Sequence, residues 1–162
     1  MPSQGVARPS ARLLRDPAVF FASGAGVGWV SRFPGTLGSL LAFPLALGVE
    51  PGGHALYWSF VGVFVAVGIP LTGRASARIG IRDAPWIVWD EIAGQLVALA
   101  GTPPSPVLWP LAFILFRFFD ILKPGPIRWI DRRVPGGVGI MADDLLAGIF
   151  AGVVVWLLYR VR

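Results

Sequence analysis

Five apolar runs divide the chain: Leu37–Val49, Ala55–Gly73, Trp86–Gly101, Val107–Leu122 and Leu145–Tyr159. Runs of this length between turn residues predict helices, not strands. Glu50-Pro51-Gly52-Gly53-His54 and Gly101-Thr102-Pro103-Pro104-Ser105-Pro106 read as tight turns, and Pro124 with Pro126 stops the fourth run. A membrane span takes about 20 residues. Ala55–Gly73 is the cleanest span, while Leu37–Val49 is either a short span or a re-entrant helix. The pattern predicts an all-α fold: a polytopic membrane helical bundle with about four to five membrane-embedded helices, in a single domain over residues 1–162. Arg8, Arg12 and Arg15 precede Val19-Phe20-Phe21, which predicts an interfacial N-terminal segment over residues 1–23. No clean small-x-small cleavage site follows it, against a signal peptide. Proline and glycine before Thr36 predict a turn into a helix capped by Thr36. Gly24 with Gly28, and Gly148 with Gly152, have the spacing of close helix packing.

Composition turns the pattern into a membrane reading. The chain is 55% hydrophobic and 14% charged, where a soluble domain carries about 25% charge. Its net charge is +5, and Lys123 is the single lysine. The arginines lie between apolar runs, which fits membrane topology and anionic lipid, not nucleic acid. With a cytoplasmic N-terminus and alternating spans, the arginine-bearing loops share one side. The turns at 50–54 and 102–106 carry no Lys or Arg, as the positive-inside rule expects; Arg160 and Arg162 break the pattern. Trp29, Trp86, Trp109 and Trp129 read as an interfacial belt. The chain contains no cysteine and one histidine, His54 in a turn. That excludes disulfides, thiolate sites and a cysteine nucleophile, and leaves little for a histidine-based mechanism.

Against this background the charges inside the runs stand out. An ionisable group at bilayer depth costs about 2.5–3.5 kcal/mol on insertion scales. Asp90, Glu91, Arg117, Asp120, Lys123, Asp143 and Asp144 all fall at the arginine-rich ends of their runs, with Thr36, Ser39 and the loop residue Asp83. Carboxylates without Cys or His favour a hard cation, magnesium first. Candidate metal ligands are Asp90, Glu91, Asp120, Asp143 and Asp144. Adjacent acids point about 100° apart on a helix, so one of each pair ligates while the other orients it or activates water. Asp120, Asp144 and Glu91 are the candidate catalytic acids. Arg117 and Lys123 suit a phosphate, with Thr36 and Ser39 as further substrate contacts. The glycine-rich Pro135–Gly139 reads as a loop that offers backbone N–H groups at a helix start. Gly94, four residues after Asp90, reads as room for an ion beside it. Asp143 and Asp144 also fit first-turn acids favoured by the helix dipole, Asp120 with Arg117 a structural ion pair, and Asp131 with Glu50 plain surface charges. The parts together suit magnesium-assisted phosphoryl transfer to water. A small cation- or proton-coupled transporter is the alternative, since intramembrane acids also mark ion paths.

Four ordered motifs carry a family resemblance. They are Phe33-Pro34-Gly35-Thr36-Leu37-Gly38-Ser39, Ile87-Val88-Trp89-Asp90-Glu91-Ile92-Ala93-Gly94, Phe116-Arg117-Phe118-Phe119-Asp120-Ile121-Leu122-Lys123-Pro124 and Gly136-Gly137-Val138-Gly139-Ile140-Met141-Ala142-Asp143-Asp144. With them the chain resembles the phosphatidylglycerophosphatase A family from about Gly24 to Tyr159. The resemblance implies a magnesium-dependent lipid phosphatase of the bacterial inner membrane, with phosphatidylglycerophosphate as substrate and the bilayer as its setting. It implies Asp90, Glu91, Asp120, Asp143 and Asp144 as the acidic positions, with Asp83 less secure.

Overall fold

The computed structural model describes residues 10–161, so Arg8 and Arg162 lie outside the described residues. Among the described residues the chain is helical and has no strand. The helices are α1 (Pro17–Ala22), α2 (Val27–Val30), α3 (Pro34–Val49), α4 (Gly53–Ile79), α5 (Trp89–Leu99), α6 (Leu108–Leu122), α7 (Pro126–Arg133) and α8 (Gly136–Val161). Short 3₁₀ turns, Ala11–Arg15 and Glu50–Gly52, precede α1 and join α3 to α4. The five apolar runs are α3, α4, α5, α6 and α8.

The predicted four to five spans are not all of spanning length. Among the described residues, two segments are long and apolar enough to cross a membrane: Pro34–Ile79, which takes α3 and α4 together, and Gly136–Val161. Helices α5 and α6 have 11 and 15 residues, short of the about 20 that a span takes. Helix α5 is shortened at its start, because the Val88 N–H donates to the Ala22 carbonyl at 2.8 Å. That bond ties residues 86–88 to α1 and draws them out of the helix.

Helix α5 is the centre. It packs against α3, α4, α6 and α8, and every residue from Ile92 to Leu99 is buried. Glycine makes this crowding possible. Gly148 of α8 lies directly against the Gly94 carbonyl of α5, and a Cβ on Gly94 would sit 2.6 Å from the Asp144 carbonyl and 2.6 Å from the Phe116 ring. Gly94 is therefore a packing contact and not room for an ion. Gly137 likewise lies against the Ile69 carbonyl of α4. The glycine-rich stretch is the first turn of α8, not a loop, since backbone contact there needs residues without Cβ.

The described part of the N-terminal segment is docked on the bundle. Asp16 caps α1 through the Ala18 N–H at 2.9 Å and pairs with Arg78 of α4 at 3.1 Å. Val19 and Ala22 are buried, while Phe20 and Phe21 stay exposed. The tryptophan belt is corrected too. Trp29 and Trp86 are buried against each other with centroids 5.4 Å apart, and Trp109 is buried; of the four, Trp129 alone is exposed. Aromatic area is placed in the core here because the short helices leave gaps that large rings fill.

Candidate active site

The acidic residues of α5, α6 and α8 meet Arg117 and Lys123 at one end of the bundle in two adjoining groups. In the first, Asp90, Glu91 and Asp144 bring one carboxylate oxygen each within 4.8 Å of one another. Asp90 and Glu91 occupy the first turn of α5. Asp144 lies two turns into α8, which removes the reading of Asp143 and Asp144 as first-turn acids. Asp90 and Asp144 are each 4% exposed. Asp90 Oδ1 and Glu91 Oε2 are buried without a hydrogen-bond partner. Buried carboxylate oxygens left unpaired are costly, and a cation among them answers that cost. The donor set is all oxygen, which suits a hard ion.

Arg117 borders this group. Its Nη1 pairs with Asp120 at 2.6 Å and lies 3.5 Å from the Ser39 hydroxyl. The Ser39 hydroxyl donates to the Gly35 carbonyl at 2.8 Å, so it is tied back into α3. Gly35 sits where a Cβ would strike Glu91 Oε1 and come within 3.0 Å of both terminal Arg117 nitrogens. Asp120 lies against Asp144, and Asp90 against Glu91. Thr36 is not the cap of α3: Phe33 holds that position with Pro34 next, and no side chain caps the helix.

The second group is built around Lys123. Its ammonium pairs with Asp143 at 2.5 Å, Asp131 at 3.0 Å and Asp83 at 4.0 Å. One carboxylate oxygen of each acid lies within 4.8 Å of the other two. Burial alone would lower the lysine pKa, but the hydrogen bonds to Asp143 and Asp131 outweigh it and raise it. Lys123 follows α6 with φ +45°, where its N–H bonds the Phe119 carbonyl and Pro124 ends the helix. Asp83 is also left-handed, at φ +50°. Two left-handed non-glycine residues in one ion cluster hold strain of order 1–3 kcal/mol each.

The single cluster expected from the chain order is thus two groups, joined at the neighbours Asp143 and Asp144. Asp143 belongs with Lys123. Asp131, expected as a surface charge, faces inward. Its signal was available: it follows the fully buried Ile127 by four residues on α7, and so shares that inward face. A cavity of about 450 Å³ lies elsewhere, at the Glu50–His54 turn and the end of α8. None of these charged groups lines it.

The family model for phosphatidylglycerophosphatase A matches residues 20–159. The chain belongs to the phosphatidylglycerophosphatase A family. It is 41% identical over 150 residues to phosphatidylglycerophosphatase A of Haemophilus influenzae, across 88% of this chain and 89% of the relative. It is 37% identical over 139 residues to phosphatidylglycerophosphatase A of Escherichia coli, across 85% of this chain and 81% of the relative. No solved structure matches. The phosphatidylglycerophosphatase A match takes in both charged groups and leaves out the 3₁₀ turn before α1.

Proposed function

We propose that this chain hydrolyses the terminal phosphate of phosphatidylglycerophosphate to give phosphatidylglycerol. It would do so with magnesium, as a multi-pass protein of the bacterial inner membrane with its site on the cytoplasmic side. Family membership supports the substrate. The observation that carries the chemistry is the pair of buried, unpartnered oxygens on Asp90 and Glu91, beside Asp144 and an arginine.

In this reading Asp90, Glu91 and Asp144 hold the metal, with Asp120 against Asp144. When bound, magnesium neutralises phosphate oxygens and makes water more acidic. Arg117, aimed by Asp120 and Ser39, binds and orients the phosphate. A carboxylate of the first group takes a proton from the attacking water as the new P–O bond forms. The ester P–O bond breaks, and the glycerol oxygen leaves and is protonated. Lys123 pairs with Asp143, Asp131 and Asp83 and offsets part of their charge, and so makes the second group a poorer competitor for the cation. The arginine-rich loops on one side support the cytoplasmic placement. The acids gather at one end of the bundle, whereas a transport path needs them through its depth.

The deciding experiment is phosphate release from phosphatidylglycerophosphate by detergent-purified protein, with magnesium and with EDTA, for wild type and Asp120→Asn. Magnesium-dependent release lost in the variant supports the site. Release that persists in the variant moves the chemistry elsewhere. No release from folded protein rejects the assignment.

A further inference from the structure

Gln95 lies one turn beyond Glu91 on α5, and residues at i and i+4 share a helix face with Cβ atoms about 5–6 Å apart. It is 0% exposed, and neither its Nε2 nor its Oε1 has a hydrogen-bond partner. The Glu91 Oε2 above it is also buried and unpartnered. A buried amide without partners is unfavourable. The neighbouring positions Ile92, Leu96 and Leu99 are filled by apolar side chains that avoid this. The two orphaned groups are complementary, since the amide Nε2 donates and the carboxylate accepts. No direct bond joins them; a buried water between them, making about three hydrogen bonds as such waters do, would satisfy both.

We propose that Gln95 is a positioning residue for Glu91, holding its carboxylate through a shared buried water and setting the oxygen that faces Asp90 and Asp144. Being wholly buried behind the acids, Gln95 does not meet the lipid. The inference rests on reading Asp90, Glu91 and Asp144 as a cation group, so its test also reads Gln95 directly.

The chain has two glutamines, Gln4 and Gln95, and no asparagine. Side-chain amide NMR of the full chain, labelled with ¹⁵N-glutamine in detergent, therefore shows two side-chain amides, and Gln95→Met assigns the Gln95 signal by its loss. A Gln95 amide signal that exchanges with water and shifts in Glu91→Leu, which adds no glutamine, is expected. Substoichiometric Mn²⁺ is expected to broaden that signal. Gln95→Met, close in volume but without the amide, is expected to lose about 10–100-fold in Mn²⁺ affinity and in kcat, with KM for the lipid unchanged. Unchanged Mn²⁺ affinity and kcat, with a raised melting temperature, would mark Gln95 as a merely tolerated core residue and overturn the proposal. If Gln95→Met does not fold, the wild-type and Glu91→Leu spectra decide: a Gln95 signal indifferent to both water and Glu91 rejects it. Wild type that binds no Mn²⁺ refutes the cation reading, while the Glu91→Leu shift still tests the link to Gln95.

Discussion

Arg117 is useful to a phosphate only if something else fixes its direction, and Gly35 is where that direction is set. A methyl group there would press on Glu91 Oε1 and both terminal nitrogens of Arg117. A displacement of about 1 Å can lower a rate on the order of 100-fold. Gly35→Ala is therefore expected to lower kcat at least tenfold by that principle, with little change in melting temperature, in a phosphate-release assay. Lys123 makes the second prediction at this scale. Breaking one side of a fully buried ion pair costs about 3–5 kcal/mol. Lys123 is 22% exposed, so Lys123→Met is expected to lose stability at or below the lower end of that range. Asp143→Asn in the same chain should return part of the loss, because it removes the most buried of the unpaired charges. A double-mutant cycle of melting curves reads the coupling; strict additivity would show that Lys123 and Asp143 do not support each other.

Among the elements, α5 and α8 carry both the tightest packing and four of the acids. Gly94 and Gly148 let the two backbones touch, and the crossing sets where Asp90 and Asp144 meet. Overpacking costs typically about 1–3 kcal/mol, so Gly94→Ala is expected to lower stability by that amount and reduce Mn²⁺ affinity together. Intact affinity in a destabilised Gly94→Ala would show that the acids are placed independently of this crossing. Helix α7 has a different task. Ile127 is buried and Asp131 reaches Lys123, while Arg128, Arg132 and Arg133 line the outer surface with Trp129. Neutralising Arg128 and Arg132 to Gln is expected to raise the apparent KM in anionic bilayers and to weaken its salt dependence.

For the whole molecule the question is which end faces which side. Absence of cysteine makes the chain suitable for single-cysteine labelling. Arg132→Cys is expected to react with an impermeant maleimide from the cytoplasmic side, and His54→Cys from the opposite side. The reverse pattern would invert the proposed topology. The N-terminal segment is part of the same body: α1 packs on α4 through Val19 and Ala22, and the Asp16–Arg78 pair adds to it.

The sequence alone determined the helical class, the five apolar runs and the residues that carry charge at unfavourable depth. Those follow from local composition and period, which need no partner to be read. Family motifs added the reaction class. Tertiary structure alone decided that the acids form two groups, that Lys123 pairs with the acids of one of them, and that Asp131 belongs to that one. The start of α5 was also decided there, because a tertiary hydrogen bond from Val88 to Ala22 holds residues 86–88 outside the helix. Glycine shows the physical reason most directly. The glycines of α5 and α8 read equally well as ion space, phosphate loop or packing seam until another backbone is brought against them. Which oxygens are left unpaired is likewise a property of neighbours distant in the chain, and one-dimensional spacing does not record it.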